Sequence, residues 1–137
     1  MEQKVLPNRK CKSFARKHDL KISFPGKLKK KEWAKLSTGY DVFLNTTYID
    51  NTPISVIEAM ALGLAVVSTN VGGMEDLVSN NVDGVLVPSG DEKAMYEAID
   101  HLIENPLETV AMTLKAREKV TEFDWEIVKE EWNRLLQ

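Results

Sequence analysis

The sequence predicts an α/β fold, a three-layer α/β/α arrangement around a mostly parallel sheet of about four strands. Two observations carry this. Short apolar runs alternate with segments of helical period along residues 6–104, the pattern that builds parallel sheets through helical crossovers. One of those runs, LAVVS at 64–68, has the β-branched Val66 and Val67 at its middle and is polar only at its end, as suits a strand covered on both faces.

Residues 6–18 form the first expected helix, with Leu6, Cys11, Phe14 and Ala15 as a weak apolar face. Residues 21–24 form a short strand closed by Pro25-Gly26. A second helix covers 29–37, with Trp33 and Leu36 inward and Gly39 ending it, and DVFL at 41–44 is a strand leading into the loop 45–51. The next helix, 53–62, is bounded at both ends: Thr52 offers a hydroxyl at the N-cap, Pro53 suits the first helical position, and Gly63 suits the position past the end. Its apolar residues run nearly all the way round, which predicts an interior helix.

After the strand at 64–68, Asn70-Val71-Gly72-Gly73 is a loop that opens a short helix at 74–78. Asn80 to Gly84 is a turn cluster and 84–87 the last strand. The rest is helical: 91–104, then 107–121 after Pro106, then a helix capped by Asp124 and running to Leu135. Trp125, Val128 and Trp132 form a stripe on that last helix, for which core packing is the expectation.

Composition bounds the function. With 137 residues, 43% hydrophobic and 28% charged, the chain has the profile of one soluble globular domain. It has no apolar run of about 20 residues and no signal-like N-terminus, so a cytoplasmic location is expected. The single Cys11 with His18 and His101 makes neither a disulfide nor a metal cluster. Residues 1–37 hold 12 of the 18 Lys and Arg and only 3 of the 21 Asp and Glu, so a basic start precedes an acidic remainder. Lys27, Lys29, Lys30 and Lys31 suit a solvated face before they suit anionic lipid or a nucleotide phosphate. A nucleic-acid partner is not expected from an acidic chain whose lysine cluster lacks interleaved aromatics.

Chemistry concentrates at 50–63, DNTPISVIEAMALG. Glu58 is the only charge of its helix, and Asp50 stands eight positions before it, across the loop-to-helix junction. A desolvated, unpaired carboxylate costs several kcal/mol, so Glu58 is expected to face a polar partner. Two partners compete: a ligand, or the helix itself, through a capping box from Ser55 to Glu58. Pro53 argues against the box, since a cap at Ser55 would leave the proline outside the helix. At Gly72-Gly73 two readings also stand, amides approaching a ligand or a tight turn needing positive φ.

These blocks together resemble one family. PGKL, DVFLNTT, the run from Asp50 through AMALGLAVVS, NVGGMEDLV and DGVLVPSGD are similar, in order, to the donor-binding C-terminal domain of retaining, nucleotide-sugar-dependent glycosyltransferases of the GT-B fold, group 1. The match covers about residues 21–105, with 106–137 as C-terminal helices. Asp50 replaces the first glutamate of the family's Glu-x7-Glu signature, and Ala65 replaces a usual proline.

The resemblance implies a Rossmann-like half of a two-domain enzyme that moves a hexosyl group from a UDP-, GDP- or ADP-sugar to an acceptor hydroxyl, as in polysaccharide biosynthesis. Asp50 and Glu58 are then the catalytic-site carboxylates, Glu58 on the ribose hydroxyls and Asp50 on the sugar. The amides of Asn51, Thr52, Ile54 and Ser55 would meet the diphosphate or sugar, and Gly72 and Gly73 would lie beside it. No metal or cofactor is implied. The resemblance also implies that this chain begins near the domain's second helix and lacks the loop whose Arg and Lys bind the diphosphate, along with the acceptor domain.

Activity alone is therefore not expected, and a separate N-terminal acceptor domain or a second copy of the chain is the implied partner. For the sheet, the expectation is that strand 21–24 pairs directly with strand 41–44. The competing reading is a non-catalytic α/β remnant or interaction module in which Glu58 is only a helix cap.

Overall fold

The structure is a computed structural model, described here for residues 9–136. It divides into two compact units, one ending at Leu36 and the other spanning Ser37–Gln137.

In the first unit, helix α1 is Arg9–Lys17; the expected start at Leu6 lies outside the described residues. Its end is fixed by the backbone. Leu20 N–H donates to the Ala15 carbonyl at 2.9 Å and Asp19 N–H to that of Arg16 at 3.3 Å, a Schellman closure with Asp19 left-handed at φ 50°. Helix α2, Lys30–Ser37, begins where the Glu32 carboxylate accepts from the Lys29 amide at 2.7 Å.

The expected strand at 21–24 is not formed. The segment is non-helical and mostly exposed, and it joins no ladder with any described strand; Ile22 N–H instead donates locally to the Leu20 carbonyl at 2.8 Å. A short apolar run acquires strand character only from a partner edge. The sheet among the described residues therefore has three strands, not four.

In the second unit, β1 (Val42–Asn45), β2 (Ala65–Thr69) and β3 (Val85–Val87) are parallel in the order β1-β2-β3. Phe43 stands opposite Val66, and Ser68 opposite Leu86. β2, the central strand, is buried at every residue, as its β-branched composition predicts. From it Ala65 and Val67 face one core, shared with Val87, Leu102 and Met112.

Between the strands run α3 (Ile54–Ala61) and the single turn α4 (Met74–Leu77); after them come α5 (Glu92–Glu104), α6 (Pro106–Val120), a 3-10 turn at Thr121–Phe123, and α7 (Trp125–Leu135). The expected cap at Asp124 forms, accepting from Glu126 N–H at 2.8 Å, and Asp91, expected inside α5, is its N-cap and accepts from Ala94 N–H at 2.9 Å. α6 returns to the sheet, where Lys119 Nζ lies 3.2 Å from the buried Asp83 carboxylate and 3.1 Å from Ser79 Oγ. Asp83 also accepts from Ser79 N–H at 2.8 Å, so one carboxylate ties α6 to the turn before β3.

Two packing expectations are corrected. α3 is not an interior helix: Val56, Ala59 and Met60 are buried, but Ile54 is 68% exposed and Ala61 and Leu62 also face outward. Nor is the α7 stripe core. Trp125 is 67% exposed and Trp132 56%, and no residue of α7 is buried. Period alone marks a face without saying that anything covers it. Among the described residues, no helix is long and apolar enough to cross a membrane.

Candidate functional site

In an open parallel sheet, the loops leaving the carboxyl ends of the strands form the crevice where ligands bind. Here those loops are 46–53 after β1, 70–73 after β2 and 88–91 after β3. Beneath them lies a chain of buried polar groups. Asn45 Nδ2 donates to Ser68 Oγ at 3.1 Å, Ser68 Oγ donates to the Thr69 carbonyl at 3.0 Å, and Thr69 Oγ1 donates to the Thr47 carbonyl at 2.6 Å. The ends of β1 and β2 are thereby held in fixed relation before either loop begins. Thr47 Oγ1 is buried there with no hydrogen-bond partner among the described residues.

The first two loops meet. Gly72, at φ +57°, is packed so tightly on Asp50 that a Cβ would stand 1.8 Å from its carbonyl oxygen, and a Cβ on Gly73 would stand 2.7 Å from that of Asn51. The turn reading, with positive φ, applies to Gly72, and both glycines also pack closely against the Asp50–Asn51 backbone. Asp50 itself is half-buried, and its Oδ1 accepts from the Asn51 amide at 2.8 Å, which orients the carboxylate at the loop's turn.

α3 begins one residue later than expected, with Pro53 as N-cap in an extended conformation and no side-chain cap bond, so Thr52 does not cap it. Pro53 fits because the N-cap needs only its carbonyl, which accepts from Val56 N–H at 3.0 Å. Ile54 and Ser55 then occupy the first helical turn, whose amides have no acceptor within the helix and point toward the loop. Ser55 lies inside the helix, which removes the capping box proposed for Glu58: a box requires Ser55 to be the cap. Glu58 is half-buried, just past the first turn. At the far end the expected glycine stop is present. Gly63, φ +81°, donates to the Met60 carbonyl and Leu64 N–H to that of Ala59, both at 3.1 Å, a Schellman motif.

Asp50, Asn51, Gly72 and Gly73 are thus brought together. Thr52, Ile54 and Ser55 follow on the same loop and helix start, and Glu58 one turn further along α3. Two clefts at the strand ends involve other residues. One of about 260 Å³ is lined by Thr46, Tyr48, Thr69, Asp91 and Met95 among others, and one of about 660 Å³ by Asn70, Glu75, Asn80 and Ser89 with Leu86 and Pro88. None of these polar residues is among the site residues expected from sequence. The position of Thr69 at the end of β2, and of Thr46 and Pro88 just past the ends of β1 and β3, was the available signal.

Comparison with known proteins adds a frame. Residues 7–120 match the family described as Glycosyl transferases group 1. The chain is 36% identical over 90 residues to the amylovoran biosynthesis glycosyltransferase AmsK of Erwinia amylovora, covering 65% of this chain and 22% of that protein. It is 31% identical over 124 residues to the putative colanic acid biosynthesis glycosyltransferase WcaL of Escherichia coli K12, covering 85% of this chain and 30% of the relative. The solved structure of Anabaena HepE in complex with UDP superposes with a TM-score of 0.84 at 22% identity, over 93% of this chain and 35% of that one. The fold is that of part of a GT-B glycosyltransferase, and the chain spans less than a third of the two curated relatives.

Proposed function

The chain belongs to the glycosyl transferases group 1 family, and on that premise we propose that it holds the nucleoside-diphosphate-sugar donor of a retaining hexosyl transfer to an acceptor hydroxyl. The observation that carries the reading is the contact of the Gly72-Gly73 loop with Asp50 and Asn51. It gathers a carboxylate, a helix start and a glycine turn at the carboxyl edge of the sheet, where a polar, anionic ligand finds both hydroxyl acceptors and amide donors.

In this reading Glu58 accepts from the ribose hydroxyls and Asp50 from hydroxyls of the sugar, since a fixed carboxylate takes two hydroxyl donors at once. The amides of Asn51, Thr52, Ile54 and Ser55 face the diphosphate or the sugar, and those of Gly72 and Gly73 lie beside it. Leaving-group charge is stabilised by the α3 N-terminus together with the Arg and Lys of the donor-binding domain's diphosphate loop, and no metal takes part. UDP bound in the HepE structure supports a nucleotide ligand, and the names of AmsK and WcaL support a role in polysaccharide biosynthesis.

The test is a ligand-observed NMR titration of the chain with UDP-, GDP- and ADP-sugars, beside Glu58→Ala and Asp50→Ala. Binding of one nucleotide class, lost in folded Glu58→Ala, is the expected result. Absence of binding at millimolar ligand favours the non-catalytic module instead.

A further inference from the structure

In the unit that ends at Leu36, cations and large apolar side chains share one surface. α1 carries Arg9, Lys10, Lys12, Arg16 and Lys17 within nine residues. Over residues 9–36, eleven are Lys or Arg and two are Asp or Glu. A cleft of about 400 Å³ is lined by Lys12, Arg16 and Asp19 together with Leu20, Ile22 and Phe24, and Lys12 Nζ stands 5.6 Å from the Phe24 ring centre. Lys12 and Arg16 are one helical turn apart and so neighbours on one face. Phe14 (59% exposed) and Ile22 (53%) are open to solvent, and the Phe14 ring rests on His18 at 4.3 Å.

A lysine face that is merely solvated has polar residues between its charges. Here Leu20, Ile22 and Phe24 line the same cleft as Lys12 and Arg16, which marks an interaction surface. Nine of the eleven cations are Lys, a flexible point charge suited to a diffuse anionic layer, where bidentate recognition of single groups would favour Arg. Long basic side chains beside exposed apolar ones also suit a bilayer interface, the charges at the phosphates and the apolar groups below them.

We propose that α1 and residues 20–24 dock on an anionic phospholipid surface, with Lys12 and Arg16 against lipid phosphates and the exposed Leu20 and Ile22 of the same cleft entering the headgroup boundary. This does not depend on donor binding, and either reading stands if the other fails.

The experiment is flotation of the full chain with vesicles of phosphatidylcholine, alone or with about one-third phosphatidylglycerol. We expect flotation only with the anionic vesicles, and a partition coefficient about tenfold lower or more for Lys12→Glu/Arg16→Glu. Leu20→Ser/Ile22→Ser should bind at low salt and release at a lower salt concentration than the parent chain. Circular dichroism checks the fold of each variant, and Lys12→Gln/Arg16→Gln replaces the reversal if that variant unfolds. Equal flotation with neutral vesicles, indifference to the charge changes, or preferential capture by a single-stranded oligonucleotide or by a second copy of the chain would overturn the proposal.

Discussion

Gly72 sits against the main chain of Asp50 with no room for a methyl group between them, 22 residues apart in sequence and in contact at the carboxyl edge of the sheet. The loop after β2 is therefore seated on the loop after β1, and the shape of one fixes the other.

Gly72→Ala should cost at least about 2 kcal/mol, because the new Cβ meets a backbone oxygen and the residue must also hold a positive φ. Gly90→Ala is the control. It shares a positive φ, +78°, but a Cβ there meets nothing within 4 Å, so about 1 kcal/mol is expected. Denaturant unfolding of both variants separates collision from conformational cost, and equal losses would mean that the Asp50 contact yields easily.

Lys119→Met leaves the Asp83 carboxylate buried without its cation. Lys119 keeps 23% side-chain exposure, which softens the penalty below that of a fully buried pair, to about 2–3 kcal/mol. The double variant Asp83→Asn/Lys119→Met should recover much of that loss. A double-mutant cycle measures the coupling.

Asn45→Ala removes the donor to Ser68 Oγ beneath the crevice and opens a polar void, for a loss of about 1–3 kcal/mol. Ser68 keeps its bond to the Thr69 carbonyl, so the damage should centre on the end of β1. Amide hydrogen exchange would then rise first in residues 44–48 rather than throughout the sheet.

Trp132→Ser on the exposed face of α7 should change stability by less than about 0.5 kcal/mol, the range of ordinary surface substitutions. A larger loss by thermal unfolding would show that the stripe is covered in solution.

Local chemistry made much of this fold legible. Asp91 and Asp124 cap helices because a short carboxylate reaches the amide two or three residues on. Gly63 ends α3 because the Schellman turn needs a left-handed residue. Gly72 takes the positive φ that a tight turn after β2 requires. What escaped depends on neighbours far along the chain. The segment 21–24 has strand-like residues and no described ladder to join, while Ile54, Trp125 and Trp132 have the spacing of core and no cover. Thr52 and Pro53 traded the expected cap by one position, since a proline carbonyl serves an N-cap as well as its ring serves the first turn.

The ion pair between Lys119 and Asp83 also sets an order of events in time. Its partners are 36 residues apart, so closing it requires α5 and α6 to have been made and folded back. A chain growing from its N-terminus completes the turn before β3 long before the lysine that latches it exists. Until then the Asp83 carboxylate has Ser79 N–H to hold it but no cation, and β3 lacks its tie to α6.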